Sequence, residues 1–210
     1  MKLIKYILFL SLIFITVTGC TPPVTYVLDL AYAPPLKQSA DTKQGQKRIA
    51  VIPFEDVRAE KVLVGTRKRL MGKIDKFEAR PSPVYNAVTQ AIVRALKING
   101  YQTEILKQGT DPESIKESPP DIIISGKIEE LWADALAKPG FTAVKVDIRL
   151  KVTIYKVDEK NSFTLNIQSE SEPSVVLFTP PEMQNVINDT LTDAINHLIE
   201  SNWDGKGKEK

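Results

Sequence analysis

The chain has 210 residues, of which 42% are hydrophobic and 26% are charged, as expected for one ordinary globular domain. It contains a single cysteine and a single histidine. These two counts exclude a disulfide framework, a Cys/His zinc site and a c-type haem, each of which needs several such residues. The composition therefore predicts neither a metal site nor a cofactor.

Residues 1–19 have the pattern of a secretory signal peptide. Lys2 and Lys5 form a positive start, and an almost wholly apolar run follows from Tyr6 to Ile15. This run is too short to cross a bilayer as a helix, which needs about 20 apolar residues.

The end of this segment carries a more specific signal. Val17-Thr18-Gly19-Cys20 resembles the bacterial lipobox. The resemblance implies that the chain is cut before Cys20 and that this residue is acylated, so that several acyl chains hold the mature protein at a membrane. Thr21 follows where an Asp would be expected for inner-membrane retention, so the resemblance favours the outer membrane, facing the periplasm. The alternative is an ordinary signal peptide followed by a chance cysteine.

Cleavage would change the charge balance. Loss of Lys2 and Lys5 lowers the 28 basic residues by two, to the same number as the 26 acidic residues. A neutral mature chain has no general attraction for phosphate backbones, so we predict no nucleic-acid partner.

The rest of the chain divides into three parts. Residues 20–47 contain two Pro-Pro pairs and a polar stretch, which is typical of a tether, although Val24–Leu30 could form a short strand on the domain edge. Residues 48–205 form a single periplasmic domain, and residues 206–210 a polar tail. Arg48–Phe54 is apolar and β-branched, as a buried strand should be, and Pro53 marks either an edge or the strand end.

Two helices and four further strands follow. Ser82-Pro83 predicts a helix start, with Asn99-Gly100 at its end, and Thr179–Glu182 is a capping box for a second helix. The predicted strands are Tyr101–Leu106, Asp121–Trp132, Thr142–Val157 and a returning strand around Phe163–Ile167. We predict an α+β fold of order β-α-β-β-β-β-α: a two-layer sandwich whose mostly antiparallel sheet is covered on one face by two helices.

Two features of the predicted strands matter for function. Thr142–Val157 alternates strictly between apolar and polar residues, which predicts one buried and one solvent-exposed face. Gly126 predicts a bulge or close packing against a helix. The exposed face offers a candidate protein interface, although it could simply be solvated. Its basic members are Lys145, Arg149 and Lys151.

The charged insert at residues 55–80 is a second candidate site. It predicts a hairpin with arms at Val62–Thr66 and Lys73–Phe77. Its basic side chains could contact the phosphates or carboxylates of lipid, lipopolysaccharide or peptidoglycan, but a solvated hairpin of mixed charge explains them more simply. The candidate contact residues are Arg58, Arg67, Lys68, Arg69 and Lys73.

His197 follows Asp193 by one helical turn, which favours an exposed helical pair over a catalytic dyad. No nucleophile or metal motif accompanies it, so we predict no catalytic residue. A hydrolase is the least favoured function.

Three short motifs point to a family. I-A-V-I-P-F-E-D-V-R at residues 49–58, V-G-T-R at Val64–Arg67 and N-G-Y at Asn99–Tyr101 resemble the YajG-like family of small Gram-negative lipoproteins. The resemblance implies a location and an architecture, but no activity or site. We therefore expect a lipid-anchored accessory protein that binds an envelope protein partner, or alternatively a lipid-, lipopolysaccharide- or peptidoglycan-binding module.

Overall fold

A computed structural model describes residues 22–34, 47–115 and 118–201. The predicted signal peptide, Cys20 and the polar tail lie outside the described residues. The strands are β1 (Thr25–Leu28), β2 (Arg48–Val51), β3 (Glu55–Asp56), β4 (Leu63–Lys68), β5 (Ile74–Ala79), β6 (Gln102–Ile105), β7 (Ile122–Lys138), β8 (Phe141–Lys156), β9 (Asn161–Ser171) and β10 (Ser174–Val175). The helices are α1 (Val84–Ile98) and α2 (Pro180–Glu200).

The long strand β7 organises the sheet. Along one edge it pairs in parallel with three short strands in turn, β2, β3 and β4. Along the other edge it pairs antiparallel with β8 over its full length. β7 therefore extends six residues beyond the predicted end at Trp132, because β4 and β8 continue to pair with it.

The remaining strands extend both sides. β9 and β10 pair antiparallel with β8, β5 pairs antiparallel with β4, and β1 and β6 add in parallel to β5 and β2. The α+β class and the two helices are confirmed. The predicted two-layer sandwich is confirmed only in part. Most paired residues lie in antiparallel ladders, as expected, but the sheet is mixed and curls into a half-barrel, because the twist of these long strands accumulates.

A bulge at Glu129 resets the direction of side chains along β7. Ile128 pairs with Leu150 and Glu130 pairs with Arg149, so Glu129 has no direct partner. The extra residue turns Leu131, like Ile128, into the core and leaves Glu130 on the outer face. Gly126 is not a bulge. A Cβ there would stand 2.6 Å from the Phe54 ring and 2.6 Å from the Lys151 carbonyl oxygen, so this glycine permits close packing against Phe54 rather than against a helix.

The helices fill the concave side of the half-barrel. One face of α1 is buried, and Gly100 takes the left-handed conformation (φ 85°) that ends the helix. The N-cap of α1 is Pro83 rather than Ser82, without a side-chain cap bond. α2 begins as predicted, with the Thr179 hydroxyl accepting from the Glu182 N–H.

Residues 22–34, which lie within the predicted tether of residues 20–47, pack against the domain. β1 confirms the expected edge strand, and Leu28, Leu30 and Tyr32 are buried. Alternate backbone N–H groups then donate to side chains of α2: Asp29 to Gln184 (2.9 Å), Ala31 to Asn188 (3.0 Å) and Ala33 to Thr192 (3.0 Å). The spacing matches because two extended residues rise about 6.6 Å and four helical residues rise about 6 Å.

Candidate functional site

The outer face of β8 has the predicted polar surface. Val144, Val146, Ile148, Leu150, Val152 and Ile154 are all buried, and the alternate residues point outward. Two of the basic side chains on this face form ion pairs with nearby carboxylates. Lys145 lies 3.5 Å from Asp147 and 3.6 Å from Glu172, and Arg149 forms an ion pair with Glu130. The negative charge of Asp147 raises the pKa of Lys145.

A cleft of about 380 Å³ opens where the bulge meets the outer face. We call it the bulge cleft, lined by Arg58, Ala59, Glu60, Glu129, Glu130, Leu131, Trp132 and Arg149. It joins a residue of the charged insert, Arg58, to a residue of the sheet face, Arg149. One residue of each candidate site of the sequence thus lines this cavity.

Arg58 shapes this cleft from within the protein. Its side chain is buried and forms an ion pair with Asp56 at 2.9 Å. Its guanidinium also donates to the carbonyl oxygens of Lys61, Leu63 and Leu131. These bonds hold the loop before β4 against β7. We therefore assign Arg58 a structural role and not the ligand contact that the sequence suggested.

Trp132 is the residue that sequence analysis missed. It is half-buried on the outer face, and its indole N–H donates to Asp134 Oδ1 at 3.0 Å. The Thr66 hydroxyl donates to the same oxygen at 3.0 Å, so Asp134 fixes the indole against β4. Trp132 is the last residue of the predicted strand. Regular alternation from Ile128 would turn its side chain into the core, and the bulge at Glu129 turns it to the outer face instead.

Lys151 belongs to a separate groove of about 410 Å³. Lys127 and Glu55 line it too and lie 3.4 Å apart. The predicted sheet-face interface is therefore divided, with Arg149 in the bulge cleft and Lys151 in this groove.

The predicted hairpin is confirmed as β4 and β5, but it is built into the sheet. Val64 and Phe77 are fully buried. Arg67 lies over the Phe178 ring, 4.1 Å from its centroid, and Lys68 is exposed at the end of β4. The remaining two candidate contact residues, Arg69 and Lys73, lie in the turn that follows β4. The hairpin end is thus separate from Arg58, which precedes β4.

Asp75 fastens the first strand to this hairpin. Its carboxylate accepts from Arg69 at 2.7 Å and from the Val24 N–H at 3.1 Å. Burial favours a higher pKa for Asp75. The hydrogen bonds from Arg69 and Val24, with the charges of Arg69 and Arg67, outweigh burial and lower that pKa.

We expect Asp75→Asn to lower the free energy of unfolding by about 2 kcal/mol at pH 7, since charged hydrogen bonds of a buried group are lost. A depressed carboxyl pKa gives stability that is present above the unfolded-state pKa and is lost as pH falls through the folded-state pKa. The difference between the variant and the wild-type protein should therefore shrink in acid. Urea unfolding at pH 7 and pH 3 measures it, and an equal difference at both values would contradict this role.

His197 and Asp193 are both exposed on α2, in agreement with a solvated position. Among the described residues, no group of three or more His, Cys, Asp or Glu side chains could hold a metal ion. No helix in the described ranges has the length and apolar character to cross a membrane.

Taken as a fold, the molecule is a curled mixed sheet with two helices in its concavity. No protein-family model matches the sequence, and no curated protein matches it. A solved structure of an uncharacterised protein aligns with a TM-score of 0.52 and 10% identity, over 86% of this chain and 99% of that chain. At this identity the similarity shows a shared fold alone.

Two further solved structures align with lower TM-scores. A Xanthomonas campestris protein of the DUF330 family aligns with a TM-score of 0.47 and 12% identity, over 87% of this chain and 99% of that chain. A Neisseria meningitidis lipoprotein aligns with a TM-score of 0.37 and 8% identity, over 73% of this chain and 98% of that chain. The resemblance to the YajG-like family stays a prediction.

Proposed function

We propose that this chain is an acylated envelope lipoprotein of the YajG-like kind, held at the outer membrane through Cys20. Its domain faces the periplasm and acts by binding an envelope protein, not by catalysis. The lipobox-like residues Val17–Cys20 support the anchor.

The bulge cleft carries the binding part of this proposal. It presents a half-exposed tryptophan, Trp132, in the same cleft as the ion pair of Glu130 and Arg149. Aromatic residues and arginine dominate the binding energy of protein interfaces, and bulges commonly direct side chains at functional sites. Asp134 already orders the Trp132 indole, so little conformational entropy is lost when a partner covers it.

In-cell photo-crosslinking tests the proposal. A photoreactive amino acid replaces Glu129, which is exposed on the bulge, in the full mature lipoprotein. We expect one dominant envelope protein to be captured. Arg149→Glu should lower the yield of the crosslinked partner at least about fivefold. The substitution replaces the cleft's arginine by a carboxylate, which repels Glu130 and changes the charge that the partner meets.

Lys107→Glu is the matched control. Lys107 is exposed outside the cleft, so the same charge reversal should leave the yield unchanged. A partner captured equally by both variants would show that binding lies elsewhere. Capture of lipid or glycan alone would contradict a protein partner. It would instead support the alternative function, a lipid-, lipopolysaccharide- or peptidoglycan-binding module.

A further inference from the structure

One end of the half-barrel gathers the ends of five strands. Ile74 of β5 pairs with Lys68 of β4, Lys68 with Leu136 of β7, Leu136 with Ala143 of β8, and Ala143 with Ser174 of β10. Neighbouring strands lie about 4.8 Å apart, so this row spans about 19 Å. Three connecting segments lie beyond the row: residues 69–73, 137–142 and 175–179. We call the row and these segments the anchor end.

Exposed apolar side chains are concentrated there. Met71, Val176 and Leu177 are 93%, 84% and 78% exposed. Of the 13 large apolar side chains that are exposed in the described residues, seven belong to the anchor end. They are Leu70, Met71, Ile74, Leu136, Phe141, Val176 and Leu177. Such concentration marks an interaction surface, since scattered single exposures are normal.

The charge of the anchor end is of one sign. Its three connecting segments contain no acidic residue and three basic ones: Lys73, Lys138 and Arg69, of which Arg69 forms an ion pair with Asp75 of β5. Lys68 is exposed in the row itself. Arg67, the preceding residue of β4, lies over the Phe178 ring. Basic side chains around apolar tips are the pattern that binds the interface of an anionic bilayer.

The first of the described residues lie at the same end. β1 runs parallel to β5, with Thr25 beside Lys76, and the Val24 carbonyl oxygen accepts from the Lys76 N–H at 2.9 Å. The chain before Val24 therefore leads toward the anchor end. One residue separates Pro22 from Cys20, and two extended steps cover at most about 7 Å.

We propose that the anchor end is a membrane-contacting surface. Leu70, Met71, Val176 and Leu177 enter the boundary between headgroups and acyl chains, and the surrounding lysines contact lipid phosphates. This inference rests on the proposed acylation of Cys20 and deepens it: the lipid anchor and the surface act together and orient the domain. The occupant is the bilayer itself, not a protein.

Fluorescence quenching tests this orientation in the full mature chain. Acylation blocks the thiol of Cys20, the single natural cysteine, so Met71→Cys provides one site for an environment-sensitive fluorophore. The labelled protein is placed in phosphatidylethanolamine–phosphatidylglycerol vesicles that contain a spin-labelled lipid. We expect at least about threefold quenching at position 71, because the probe lies among the acyl chains.

Asp158→Cys is the control position. Asp158 is exposed in the turn after β8, at the other end of that 16-residue strand from Phe141. A probe there should not be quenched. Equal quenching at both positions, or none at position 71 in the acylated protein, would overturn the proposed surface.

A second measurement separates the surface from the anchor. The Cys20→Ser mature chain cannot be acylated, and its binding to the same vesicles is followed by co-sedimentation. Leu70→Ser with Met71→Ser should weaken binding at least about fivefold, whereas Val62→Ser, at an exposed site before β4, should not.

The mass of the mature chain from cells reports acylation directly. An unacylated mass would contradict the proposed anchor, and the surface would then stand on the Cys20→Ser result alone. Binding that depends on Leu70 and Met71 supports the surface, and absence of vesicle binding overturns it.

Discussion

Gly65→Ala should lower the free energy of unfolding by about 3 kcal/mol, the largest effect we expect from adding one methyl group. A Cβ at this position would stand 2.3 Å from the backbone carbonyl oxygen of Ala133. That oxygen belongs to β7, which cannot retreat because β8 pairs with it on the other side. The substitution would therefore force β4 away from the sheet. Urea denaturation of the mature chain measures the loss.

Gly109→Ala is the matched control for Gly65→Ala. Gly109 has a positive φ of 78°, but no atom lies within 4 Å of a Cβ built there. Only backbone strain of about 1 kcal/mol is expected. Similar losses for the two variants would show that the contact with Ala133 is not the cause.

Tyr32→Ala should lower the free energy of unfolding by about 3 kcal/mol, because a fully buried ring is lost and a cavity remains. The Tyr32 hydroxyl also donates to Asn196 Oδ1 at 2.9 Å. Loss of this side chain should release residues 29–34 from α2. Limited proteolysis should then cut that segment faster than in the wild-type protein.

Tyr32→Phe keeps the ring and removes one hydrogen bond, so it should cost only about 1 kcal/mol. If Tyr32→Ala unfolds like the wild-type protein and is cut no faster, the docking of residues 29–34 contributes nothing to the fold. The proposed membrane orientation would be unaffected, since β1 pairs with β5 independently of residues 29–34.

The accuracy of the sequence predictions followed the range of the contacts involved. The ends of α1, the capping box of α2 and the hairpin of β4 and β5 could be predicted from the sequence, because each depends on residues a few positions apart. The buried and exposed faces of β8 could be predicted from its alternating sequence for the same reason. The candidate site was harder to predict. The alternation of β8 placed Arg149 on the exposed face, but the outward position of Trp132 and the contacts of Arg58 with Asp56, Leu63 and Leu131 depend on residues that the sequence does not show to be neighbours.

Local spacing in the sequence was enough to define the helices, most strand positions and the exposed face of β8, since backbone periodicity is a property of neighbouring residues. The parallel pairing of β2, β3 and β4 along β7, the docking of residues 29–34 and the bulge at Glu129 depend on contacts between distant parts of the chain. The anchor end depends on them too. Leu70, Leu136 and Val176 are far apart in sequence. They lie at the same end of the sheet only because four strand pairings align their strands in one row.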